Sequence, residues 1–374
     1  MTEEETKKEN GTQELVEDKN PEIVIPPFKK EVVPGFDAQI VDKERPDKRL
    51  PLNEEQKEAM DGNVARLGEI FAGSDINWQL DGALNISLMA KAKGGDYIGA
   101  HKDFDVSVED ADLEKLEEML LKKRYKLFLS FENKDNPGDR DVEPVNAQRL
   151  RETTPDHYLI GAVDEKGNFD KGAQLNNIDL HIVKRDNDGN PTYRGNSLPK
   201  EWFEPRPIAF EGQTINLSHP AKVAFFKLHD DRPYDRTDLM ILAQSGELSM
   251  KDVEEIEKAN DREGSEVLNL AEQIIDKASA EIKKGMTADQ IYGIFAKDPM
   301  VAQNIERRKD SLQELSQKIS ESECTKEEIR GFSFQIFDIM TPILKQGQKV
   351  RELRSWVGDA KELEQTRSDL QNKF

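Results

Sequence analysis

The chain has 374 residues, 36% hydrophobic content and a formal charge of −21 at pH 7. That length allows two domains with a packed core in at least one, while the acidic balance argues against wrapping a phosphate backbone, because nucleic-acid binders present a basic face. A single cysteine, Cys324, excludes an internal disulfide; with no apolar h-region at the start and no uncharged apolar run near the roughly 18–20 residues of a membrane span, a cytoplasmic protein is expected.

Residues 1–50 combine mixed charge with Pro21, Pro26, Pro27, Pro34 and Pro46 and few aromatics, which predicts a disordered or extended arm. From Asn53 to Ala72 the spacing is helical, with Ala59, Val64, Leu67, Ile70 and Phe71 on one side. Trp78 to Asp81 reads as a short strand ending at Gly82, and Ala83 to Lys93 as a helix. A loop with Gly94, Gly95 and Gly99 then leads into an alternating strand from Asp103 to Val108. Asp110 to Lys123 is a helix by its Leu113, Leu116, Met119 and Leu120 spacing, and Tyr125 to Phe131 is a strand. Residues 133–150 read as loop, dense in Asn, Asp, Pro and Gly. Strands near 157–163 and 175–184, a polar loop to about 200, a hairpin turning at Glu211-Gly212 and helices at 219–229 and 235–245 complete this part. Beyond Ser249 the pattern is helical, with capping boxes at Thr287 and Thr325. The expected architecture is α+β over 51–245, a mixed sheet with flanking helices, followed by an all-helical region over 246–374.

The chemistry concentrates in His101-Lys102-Asp103-Phe104-Asp105-Val106-Ser107-Val108. Residues two apart on a strand share a face, so Asp103 and Asp105 project together while Phe104, Val106 and Val108 face a core. Two neighbouring carboxylates repel unless a cation bridges them or solvent screens them. Asp179 is a lone acid in the apolar strand Ile178 to Val183, and a metal shared with Asp103 and Asp105 would give it a partner. Asp186-Asn187-Asp188-Gly189 lacks the acids of a calcium loop and reads as a turn.

A strand, Gly82, a helix, a strand with Asp-x-Asp and a later strand with one acid together resemble the nucleotidyltransferase superfamily that includes DNA polymerase β. More narrowly the chain resembles the aminoglycoside and lincosamide nucleotidyltransferases, through His101 two residues before the first Asp, Leu217-Ser218-His219-Pro220, Lys227 and Tyr234 to Leu239. The likeness covers roughly 55–245. Ala83 stands where Gly or Ser is usual in the turn, and Gly99 where Arg is frequent.

The resemblance implies transfer of a nucleoside monophosphate from an NTP to a hydroxyl of a small molecule, for example an antibiotic; the acidic charge fits a cationic acceptor, with a solubility charge on exposed helices as the competing reading. It implies two Mg²⁺ ions held by Asp103, Asp105 and Asp179, with Gly82 and Ala83 in the phosphate turn. Lys227 would neutralise the triphosphate and Asp235 would orient or deprotonate the acceptor; a solvated lysine and a helix N-cap are the competing readings. The acidic charge weighs against, without excluding, a toxin-type enzyme of the AbiEii-like group acting on tRNA or protein. A non-catalytic interaction protein with a degenerate core is the third reading. In small-molecule transferases a C-terminal helical domain closes one wall of the acceptor pocket, and the same is expected here.

Overall fold

The computed structural model describes residues 40–260 except 102, 137, 138, 194, 195 and 231, the backbone of 31–34, residue 317 and residues 349–362. Helix α1 (Glu54–Phe71) starts at Asn53, whose side chain accepts from the Gln56 N–H while Gln56 Oε1 accepts from the Asn53 N–H, a reciprocal cap. Its buried stripe runs Met60, Val64, Leu67, Ile70, Phe71, so Met60 and not Ala59 begins it. Strand β1 (Glu31–Pro34) precedes this helix, and β2 (Trp78–Leu80), α2 (Gly82–Ala92), β3 (Phe104–Glu109), α3 (Leu113–Lys122) and β4 (Tyr125–Glu132) follow in the predicted order.

The predicted loop at 133–150 holds structure. It contains strand β5 (Asp139–Val145), antiparallel to β4, and a short helix α4 (Ala147–Glu152) capped by Asn146. Acidic residues and Pro144 mask the strand in the sequence, whereas Val142 and Val145 anchor it in the core. Next come β6 (His157–Ala162), β7 (Ile178–Arg185) and the small hairpin strands β8 (Pro191–Tyr193) and β9 (Asn196–Ser197), which replace much of the predicted polar loop. The Asp186–Gly189 stretch is a turn between β7 and β8, as expected. Strands β10 (Arg206–Phe210) and β11 (Gln213–Leu217) form the predicted hairpin, with φ of 46° at Glu211 and 75° at Gly212 closing a two-residue turn. Helices α5 (Pro220–His229) and α6 (Pro233–Gln244) end this part.

The strands form a mixed sheet in the order β1-β5-β4-β6-β7-β3-β2-β11-β10, with β8 attached to β7. β3 and β7 are parallel and central, and they pair Asp105 with Asp179 and Ser107 with His181. β2 pairs Gln79 with Ser107 across the same face. One sheet face is therefore polar along β2, β3 and β7. Farther along, the same face carries a small apolar cluster of Phe128, Val142, Leu159, Val163 and Phe169. The other face, with Phe104, Val106, Val108, Ile178 and Leu180, belongs to the main core.

Described segments on both sides of residues 51–245 join this fold. Residues 40–50 were expected in the arm, yet Val41 and Arg49 form an antiparallel bridge, and the Arg49 guanidinium makes two bonds of 3.0 and 2.8 Å to the Asp238 carboxylate. Residues 250–260 and 349–362 are helical. Val253, Ile256, Val350, Leu353 and Val357 enter the main core cluster, and Arg236 pairs with Glu352 at 2.8 Å. The capping boxes at Thr287 and Thr325 and the apolar residues from Ile291 to Ile339 lie outside the described residues. Among the described residues no helix is long and apolar enough to cross a membrane.

Candidate functional site

A cavity of about 560 Å³ opens over the polar end of the sheet face. It is lined by Asp103, Asp105, Asp179 and His181 from the central strands and by Gly82 and Ala83 at the start of α2. Arg49, Lys227, Arg232 and Tyr234 line it from the opposite side. The parallel register of β3 and β7 places the Asp105 and Asp179 side chains next to each other on one face. Each of Asp105, Asp179 and His181 presents a donor atom, and these atoms lie within 4.8 Å of one another. Asp103, just ahead of β3, lines the same cavity, but His181 rather than Asp103 completes the tight trio.

The two paired carboxylates are treated differently by their surroundings. Asp179 Oδ2 lies 2.8 Å from His157 Nδ1. Burial opposes its charge, yet the His157 hydrogen bond and the charge of His181 outweigh burial and hold its carboxyl below the usual range. The Asp105 carboxylate has no hydrogen-bond partner among the described residues. Burial pushes it up to about 6; His181 opposes this, and Asp179, Asp103 and Asp81 add to it. Loss of hydration works against a charged His181, but Asp81, Asp179 and Asp105 prevail and push the imidazole up to about 9. The acids Asp81, Asp103, Asp105 and Asp179 thus share their surroundings with the His181 imidazole, which they hold toward its protonated form. Carboxylate oxygens with one imidazole nitrogen are a donor set that fits a divalent cation.

Behind the trio stands a buried lysine that the sequence reading passed over. Lys222 of α5 is 2% exposed, and its Nζ lies 2.8 Å from Asp81 Oδ1, 2.9 Å from Gln79 Oε1, 2.6 Å from Ser107 Oγ and 3.1 Å from Ser218 Oγ. Burial lowers its affinity for a proton and Asp81 restores part of it. Ser218 also donates to Asp81. Asp81 is the N-cap of α2 but makes no side-chain cap bond, because its carboxylate is turned to these partners. The N-terminus of α2 thus meets the cavity without a side-chain cap.

Gly82 has φ of +68°, in the region that favours glycine, and a Cβ at this position would overlap Asp105 Oδ2. The close approach is to the carboxylate itself, so a side chain at this position would displace Asp105. Gly99, with φ of +125°, lies against Arg49 and Leu50, which leaves no room for the side chain frequent there in the resembled group.

The remaining predicted residues are placed as follows. Lys227 lines the cavity, but its Nζ lies 2.8 Å from Asp235 Oδ1 and 2.7 Å from Asp238 Oδ2, both buried. Asp235 sits in the first turn of α6 behind Lys227 and Arg232, outside the cavity lining; Arg232, not Asp235, is the N-cap. His101 Nε2 pairs with Ser87 Oγ at 2.8 Å, and burial with the nearby Arg49 charge pushes it down to about 3, so it is a neutral support of its loop. Trp78 stacks on Phe71 with centroids 4.4 Å apart and is core. Among the described residues the tail gives no lining residue and reaches the rim where Lys349 Nζ donates to the Asp230 carbonyl, 2.6 Å away.

His157, His181, Asp81, Lys222 and Arg232 are site residues that the motifs did not single out. His181 was within reach of the same-face rule applied to Asp103 and Asp105, since it lies two residues after Asp179. Lys222 carried the signal of a lone cation in the apolar run Pro220 to Phe226. No protein-family model matches the chain, and no curated protein matches it.

The Asp105 environment fixes a pH dependence. Its folded-state value of about 6 exceeds the ordinary 3.8, so ionising it weakens the fold. The penalty is absent below pH 3.8, grows between 3.8 and about 6, and is complete above that. Without metal, Asp105→Asn should stabilise the protein by about 1–3 kcal/mol at pH 7.5 and by nothing measurable near pH 3.5. Chemical denaturation at the two pH values checks this; a variant less stable than wild type at pH 7.5 would contradict the assignment.

Proposed function

We propose that this cavity is a nucleotidyltransferase active site, transferring a nucleoside monophosphate from an NTP to a hydroxyl of a small molecule. The observation that carries the reading is the Asp105–Asp179 pair, two half-buried neighbouring carboxylates of which one has no hydrogen-bond partner among the described residues. The arrangement β2, glycine turn, α2, β3, then the later parallel β7, supports the nucleotidyltransferase fold that the sequence resemblance implies.

Asp105 and Asp179 would hold a divalent cation, with Asp103 at the edge of the same site for a second. When bound, the ions supply positive charge to the phosphate oxygens. The uncapped N-terminus of α2, at Gly82 and Ala83, offers N–H groups to a phosphate. Arg232, half-exposed at the rim beside Asp230 and Asp235, is the more accessible cation for a triphosphate, whereas Lys227 is buried between its two aspartates. Bond formation from the acceptor oxygen to the α-phosphorus releases pyrophosphate. His157, held by Asp179 and half-exposed to the cavity, is the base within reach of the hydroxyl proton; Asp235 is not. The cavity volume and the charge of −21 favour a small, cationic acceptor over a polynucleotide.

The direct test incubates the protein with α-labelled NTPs and a divalent cation across pools of hydroxylated acceptors. Label transfer with stoichiometric pyrophosphate is expected, and Asp179→Asn should reduce it by on the order of 10²–10³. Transfer at the wild-type rate in that variant would remove the pair from the chemistry. Gly82→Val should weaken metal and nucleotide binding together in calorimetry, because its side chain displaces Asp105; loss of nucleotide affinity alone would show that the carboxylate is undisturbed.

A further inference from the structure

The trio at the cavity floor contains an imidazole, and that nitrogen changes what the site should select. His181 follows Asp179 by two residues on β7, so both side chains face the cavity, and its donor atom lies within 4.8 Å of those of Asp105 and Asp179. The ring is 52% exposed, open to a ligand entering from the cavity. Its Nδ1 is 3.6 Å from Asp81 Oδ2, and Asp81 is fixed in turn by Lys222 and Ser218. A carboxylate that orients a histidine beside an open donor set is the usual outer support of a metal-ligating imidazole. The second histidine of the cavity, His157, is differently employed: its Nδ1 is 2.8 Å from Asp179 Oδ2 and it positions that carboxylate. The Asp105 carboxylate, half-buried and without a hydrogen-bond partner among the described residues, presents its oxygens to the same donor set.

We propose that His181 is a third protein ligand of the metal site and makes it prefer Mn²⁺ over Mg²⁺, an inference that rests on reading Asp105 and Asp179 as metal ligands. Mg²⁺ favours oxygen donors and keeps its waters, whereas first-row transition ions gain from an imidazole nitrogen. His181 therefore discriminates between ions that the two carboxylates alone would accept.

The test uses the full chain loaded with Mn²⁺ and pulsed electron paramagnetic resonance, which reads nitrogen bound to the ion. Wild type should show a ¹⁴N coupling that converts to ¹⁵N when the protein carries ¹⁵N-histidine. The coupling should persist in His157→Gln and vanish in His181→Gln. In competition titrations the Mn²⁺-over-Mg²⁺ affinity ratio should fall by about tenfold or more in His181→Gln. The exposed position of the ring makes this variant tolerable to the fold. Saturable Mn²⁺ binding in wild type with no ¹⁴N coupling, or a coupling retained in His181→Gln, overturns the ligand assignment and leaves the carboxylate site standing. Failure of wild type to bind Mn²⁺ at all overturns the metal reading itself, together with this inference.

Discussion

The parallel register of β3 and β7 sets Asp105 beside Asp179, and the surrounding structure answers the repulsion that this creates. His157 supports one carboxylate, the acids hold His181 toward its protonated form when no metal is bound, and Asp81 is tied off by Lys222. Glycine at position 82 clears the space that the Asp105 carboxylate occupies. Each of these features is costly or pointless for a plain sheet: a buried lysine, an uncapped helix start, a left-handed glycine and a carboxyl without a partner. The proposed cation between the two carboxylates would account for them together.

A second tier of charge fixes the far wall. Arg49, Lys227, Asp235 and Asp238 form a closed network in which the cations meet buried carboxylates. Arg49 comes from the N-terminal segment and Asp238 from α6, so the network also fastens the start of the described chain across the cavity. The helical residues 349–362 press on α6 through the Arg236–Glu352 pair and the shared core. The described residues 250–260 and 349–362 share the core, so removing everything after Gln244 strips buried side chains from the domain as well as any role in acceptor binding.

How much was legible in the sequence follows from where the signal lies. The helix α1 and the strand β3 were readable because apolar periodicity and an apolar–acid alternation are local. β5 was not, since Asp139-Arg140-Asp141-Val142-Glu143-Pro144 resembles a loop until β4 and β1 pair on either side of it. The Asp-x-Asp spacing pointed to two residues that line the cavity, but spacing along one strand cannot say which residues of another strand come opposite. The Asp105–Asp179 register and the entry of His181 into the trio are products of sheet pairing. The roles of Lys227 and Asp235 depend on partners brought from distant elements, which the motif at 227–239 does not encode.

The account stands on a divalent cation between Asp105 and Asp179. Crystals grown with Mn²⁺ and a non-hydrolysable NTP analogue, measured for anomalous scattering, address it most directly. The account predicts an anomalous peak in contact with both carboxylates, with the analogue's phosphates over the start of α2. Bound analogue with no peak at the pair, or Mn²⁺ seated elsewhere in the molecule, would contradict it.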